Sequence, residues 1–209
     1  MKKQLLSRED ILEKMVEPYH DLLMCIIPLQ KNNPQFAFGI KEGANKFLSN
    51  FFISHAYKTL VDTFGKERLK ELFPKDSGQL IGRRLTDYYS EKACEMLING
   101  ETNKYDEKGN KIDWLVYEHM IPKETYQENE IAKAFKDDGE MSVPDILKIL
   151  KKKWYIATIM RSEELSLLKK KDLDEDSYRN DKFARYKELI DQHQLITREQ
   201  FFERLLRNR

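Results

Sequence analysis

The chain has 209 residues, 40% hydrophobic and 35% charged, with 37 Lys and Arg set against 36 Asp and Glu for a formal net charge of +1. This length suits one large domain or two small ones around a real core, and the composition excludes a disordered or membrane-embedded chain. Near-neutral charge excludes a general polycation, so nucleic-acid affinity has to come from a local basic patch. Met1 to Leu6 lacks the apolar core and cleavage site of a signal peptide, and no stretch approaches the roughly 18 apolar residues of a membrane span. Cys25 and Cys94 have neither Cys-x-x-Cys nor Cys/His spacing. We therefore expect a cytoplasmic protein with two reduced core thiols, no cysteine zinc site and no membrane partner.

Taken in chain order, Ser7-Arg8-Glu9-Asp10 has the shape of a capping box and opens a helix with Ile11, Met15, Tyr19, Leu22, Leu23 and Ile26 on one side. Pro28 and Asn32-Asn33-Pro34 are expected to end it. Residues 43–64 read as a helix rich in aromatics, ended by Gly65, and 67–73 as a short helix stopped by Pro74. A fourth helix is expected from Ser77 to about Ile98, closed by Asn99-Gly100. Beyond residue 100 the pattern changes. Glu107-Lys108-Gly109-Asn110 is a turn signal between strand-like pieces, and strands are expected at 111–117 and 154–159. Between them lie helices at about 128–136 and 142–151, the second with Ser142 as cap and Pro144 in its first turn. A helix opens at Ser162-Glu163-Glu164, an acidic linker covers 172–181, and helices at 183–192 and 197–206 close the chain. The expected fold class is mainly α (α+β), with a helical N-terminal half (1–100, for gripping DNA or dimerising) and an α+β C-terminal half (101–209).

The most informative segment is Trp114-Leu115-Val116-Tyr117-Glu118-His119-Met120-Ile121-Pro122, where a hydrophobic strand ends in a carboxylate beside an imidazole. Together these offer a metal ligand and a general base. The rival reading is a surface or capping pair. The strand-to-helix segment Tyr155 to Glu164 ends in two acids that the helix dipole favours with or without a metal. His55 reads as a core or subunit-contact residue in the aromatic helix. His20 and His193 stand beside acids without a ligand partner at helical spacing. Asp113 reads as a turn-flanking acid near the hairpin. Lys148, Lys151, Lys152, Lys153, Arg161, Lys169 and Lys170 flank the segment, either as phosphate contacts or as solvated helix ends. Gly39, Lys41 and Gly43 are too sparse for a phosphate loop.

The hairpin ending in Glu118-His119-x-x-Pro122, with the later strand-to-helix segment through Glu164, resembles the HNH, or ββα-metal, nuclease family over residues 104–171. The resemblance implies a ββα-metal-like module bearing one Mg²⁺ or Mn²⁺ ion. Glu118 and Glu164 would be the metal ligands, and Glu163 the less favoured alternative to Glu164. His119 would be the general base. DNA would be the substrate, with RNA as the other nucleic acid to test, and a homodimer or partner subunit would meet the aromatic helix. Restriction or phage defence is the context that such nucleases suggest. Trp154 and Tyr155 stand where the family has an orienting Asn, the gap from His119 to Glu164 is long, and the family's Cys pairs are absent. The competing class is a non-enzymatic helical module that binds nucleic acid or protein.

Overall fold

The computed structural model describes residues 7–192 and 194–208, without the side chains of residues 36–42, 44, 45 and 79. Met1 to Leu6, His193 and the side chain of Lys41 lie outside the described residues.

Helix α1 (Arg8–Asn32) starts on the expected capping box, with the Ser7 side chain accepting from the Asp10 backbone and Asp10 from the Ser7 backbone. It runs through Pro18 and Pro28 instead of stopping at Pro28. Each internal proline removes a helical hydrogen bond, and the buried stripe from Ile11 through Tyr19 and Leu23 to Ile27 offsets that loss. Helix α2 (Ala37–Phe64) packs on α1 and ends at Gly65, whose φ of 80° suits a residue without Cβ. Helix α3 (Lys66–Leu72) follows.

The long helix expected from Ser77 to Ile98 does not form. A 3₁₀ segment (Gly78–Arg84) leads to strand β1 (Tyr88–Ser90), and only then does α4 (Glu91–Ile98) begin, capped by Ser90. Two adjacent tyrosines favour a pleated strand, and β1 fills the gap between two other strands. Gly82 is where the 3₁₀ segment meets α2 backbone to backbone, since a Cβ there would lie 2.1 Å from the Ile53 carbonyl oxygen.

Strands β2 (Asn103–Tyr105) and β3 (Lys111–His119) form the expected hairpin. Asp106 accepts from the Lys108 and Asn110 backbone in its turn, and Gly109 takes a φ of 80°. A wide π-type helix (Glu124–Ala132) runs into α5 (Lys133–Asp137), and α6 (Val143–Lys153) has the expected Ser142 cap. Strand β4 (Ile156–Met160) feeds α7 (Arg161–Ser166). The expected acidic linker contains α8 (Glu175–Asn180), capped by Asp174. A 3₁₀ turn (Ala184–Tyr186), α9 (Lys187–Asp191), strand β5 (Leu195–Thr197) and α10 (Arg198–Arg207) complete the chain.

The five strands are ordered β2-β3-β4-β1-β5, with β1 parallel to β4 and the other pairings antiparallel. The fold is mainly α (α+β), with a helical N-terminal half and closing C-terminal helices. One hydrophobic core runs across residue 100, joining Ile11, Leu12 and Phe52 to Leu150, Trp154 and Phe201. A second cluster (Met120, Ala157, Ile159, Leu167, Tyr186, Leu189) lies on the opposite face of the sheet. Along β3, Leu115 and Tyr117 pack against the first and Val116 against the second, the period of two expected of a strand buried on both faces. Most of the aromatics of α2 turn inward, with Phe52 against Trp154 and Phe64 stacked on Phe202. Cys94 is buried, but Cys25, expected in the core, is exposed.

Candidate functional site

The alternation of β3 sends Glu118 and His119 to opposite faces. Glu118 pairs across the ladder with Ala157, a member of the second cluster, and His119 pairs with Ile156, a member of the main core. Helix α7, entered directly from β4, packs against β3 and brings Glu164 to the Glu118 side. β3, β4 and α7 thus form an antiparallel pair followed by a helix, with the segment 120–155 inserted between the strands.

Two acid–arginine pairs form at the β3 end and the start of α7. Arg185 donates from Nη1 to Glu118 Oε1 at 2.8 Å and from Nε to the Leu168 carbonyl, tying the strand end to the chain that leaves α7. Arg161 pairs with Glu164. Burial raises the pKa of Glu118; the Arg185 hydrogen bond and charge oppose the rise, and the Glu164 charge adds to it. Buried Tyr186 also feels the charges of Glu118, Arg185 and Glu164, and its hydroxyl has no protein partner. Two carboxylates from different elements therefore sense each other's charge, and each is paired with one guanidinium.

His119 is only 8% exposed. Its ring lies edge-on to Trp154 with centroids 4.6 Å apart, its Nδ1 is 3.4 Å from the Tyr126 hydroxyl, and its Nε2 is 3.5 Å from Ser49 Oγ. Burial, with a smaller contribution from Lys123, holds its pKa well below the usual imidazole value. Strand alternation leaves His119 on the face of β3 opposite Glu118, packed among Trp154, Tyr126 and Ser49. The expected role of His119 as general base at that centre is corrected accordingly. Trp154 packs edge-on against the imidazole.

Glu163 is buried and caps α7, its Oε2 accepting from Ser90 Oγ at 2.5 Å and from the Met160 backbone at 2.8 Å, while its buried Oε1 has no hydrogen-bond partner among the described residues. Asp113 likewise holds the start of α7, accepting from the Ser162 backbone at 3.1 Å and Oγ at 2.6 Å. Of the basic residues expected to contact phosphate, Lys148, Lys152, Lys169 and Lys170 are exposed. The other three are taken: Lys151 bridges Glu9 and Glu13, Lys153 is buried against Glu130, and Arg161 meets Glu164. His20 lies against Asp21 and Phe135, and His55 sits edge-on to Phe51. A cavity of about 880 Å³ between α1 and the helix around Gln127 and Phe135 shares no lining residue with this centre.

No protein-family profile, curated protein or solved structure matches the chain. The site therefore has to be read from its own chemistry. Among the described residues, no three His, Cys, Asp or Glu side chains group to hold a metal ion. A fully protein-liganded ion such as structural zinc does not fit this donor set. Mg²⁺ or Mn²⁺ needs less, because one or two carboxylates suffice when water and substrate phosphate complete the shell. Glu118 and Glu164 are two carboxylates of that kind, both paired with arginines in this structure. Arg185 and Tyr186 were not singled out from the sequence; the only cue was a cation set among aromatics in Phe183-Ala184-Arg185-Tyr186.

Proposed function

We propose that the protein is a metal-dependent nuclease acting on DNA, with its centre at Glu118 and Glu164 on the β3-β4-α7 unit. The observation that supports the reading is two carboxylates near enough to feel each other's charge, each paired with an arginine. Glu118 and Glu164 would hold a Mg²⁺ or Mn²⁺ ion, which supplies Lewis-acid polarisation of a phosphate oxygen. Arg161 and Arg185, released from the carboxylates, would meet the scissile phosphate through their planar forks. His119 takes no part in this chemistry, because it lies on the other face of the strand.

The test is cleavage of supercoiled plasmid with Mg²⁺ or Mn²⁺ by the wild type, Glu118→Gln and His119→Gln. Wild-type nicking that falls to background in Glu118→Gln and survives in His119→Gln supports the reading. Survival in Glu118→Gln overturns it. A second reading, a non-enzymatic binding module, is favoured by the fact that both carboxylates are already paired with guanidinium groups. Retained DNA binding without cleavage under any metal would select it.

A further inference from the structure

The β2–β3 hairpin extends beyond the rest of the sheet. Strand β4 pairs with β3 only from Leu115 onward, so Lys111 to Trp114 have β2 as their only strand neighbour. Tyr105 is 59% and Ile112 60% exposed on this two-stranded ribbon, with Lys104, Lys108 and Lys111 exposed around them. The acids are disposed differently. Asp106 is turned into its own turn and Asp113 is held by Ser162, leaving Glu107 as the ribbon's one exposed carboxylate. Lys111 Nζ lies 4.5 Å from the Trp114 ring centroid, and Tyr105 and Ile112 leave large apolar side chains exposed among these cations.

We propose that this ribbon lies in the major groove of double-stranded DNA, a proposal that rests on the nuclease reading above. A two-stranded ribbon fits that groove, lysines take the phosphates at its edges, and Tyr105 and Ile112 offer apolar contact to the base edges. The Asp113–Ser162 bonds fix the ribbon base to α7, two residues before Glu164, so the groove contact sets the position of the centre. Seven residues separate Lys111 from Glu118, about 23 Å at ~3.3 Å per residue, or about seven base pairs at ~3.4 Å each. The protein then needs about seven base pairs of duplex on the ribbon side of the cut.

The experiment is fluorescence anisotropy of a labelled 30-base-pair duplex in EDTA, over a salt series. It compares wild type with Lys104→Ala/Lys108→Ala/Lys111→Ala and with Tyr105→Ser/Ile112→Ser, with thermal melts to check folding. Three lost phosphate contacts predict a slope of log affinity against log salt shallower by about 2.7, and affinity lower by tenfold or more. The apolar pair is expected to lower affinity several-fold at unchanged slope. Equal affinity and slope in all three proteins, or no duplex binding by the wild type, overturns the proposal. Plasmid cleavage by the wild type is read alongside: ribbon-dependent binding without cleavage sinks the nuclease reading alone, and cleavage with ribbon-independent binding sinks the ribbon alone.

Discussion

His119→Gln tests the enclosed imidazole through the pH dependence of folding. The folded pKa of His119 is depressed well below 6.5 by burial, with Lys123 adding to the shift. Between the unfolded and folded values the unfolded chain therefore binds a proton that the native state refuses. The contribution is fully present above pH 6.5 and is lost as pH falls towards the folded value. At about 1.4 kcal/mol per pH unit for one proton, integration gives a loss of about 1 kcal/mol from pH 6.5 to 5.5, with a steeper loss below. The neutral Gln side chain retains hydrogen-bonding capacity toward Ser49 and Tyr126 and cannot titrate. His55, also depressed, acts with the same sign in both proteins, while Glu118 and Asp87, raised by burial, act with the opposite sign in both. The difference between the two proteins isolates His119. Urea denaturation at pH 7.5, 6.5 and 5.5 measures it, with the wild type losing about 1 kcal/mol more than the variant over the last interval. Parallel pH dependences would refute the enclosure, because a solvated imidazole has nothing to lose on protonation.

Gly82→Ala places a Cβ 2.1 Å from the Ile53 carbonyl oxygen, which cannot yield without moving α2. A loss of about 2–3 kcal/mol is expected by urea denaturation, and a neutral substitution would mean that the two backbones separate easily. Arg8→Met removes donors to the Trp154 and Lys151 carbonyls, at 2.8 Å each, and a charge facing Asp87. Since Arg198 still bonds Asp87 at 2.9 Å, the cost is expected near the lower end for a broken buried pair, about 3 kcal/mol, with the melting temperature as readout.

Local chemistry made much of the fold readable. The boxes at Ser7 and Thr197, the Ser142 cap and the Asp106–Asn110 turn all form where short-range hydrogen bonding places them. β1 and β5 were not readable, because three residues become a strand only when partners are present, and those partners are β4 and each other. The segment 172–181 misled by composition: its acids are the cap and first turn of α8, where Asp174, Glu175 and Asp176 suit the positive end of the helix. At the candidate site, Glu118 and Glu164 were picked out by their places at a strand end and a helix start. Arg185 was not, because 67 residues separate it from the carboxylate it binds, and no local pattern encodes that distance.

The adjacent acid and imidazole carry the sharpest lesson, and it is geometric. Neighbours in a regular strand point to opposite faces, so both can serve one centre only if the strand ends or bulges at Glu118. Here the pairing continues past it: His119 opposes Ile156, and the Met120 backbone still donates to the Tyr155 carbonyl at 2.9 Å. The imidazole is thereby committed to the core with Trp154 and Tyr126. The electrostatic partners of Glu118 have to come from the other face, and that face supplies Glu164, Arg185 and Tyr186. Under the proposed nuclease reading, chemistry at this site would depend on how readily the arginines exchange a carboxylate for a phosphate.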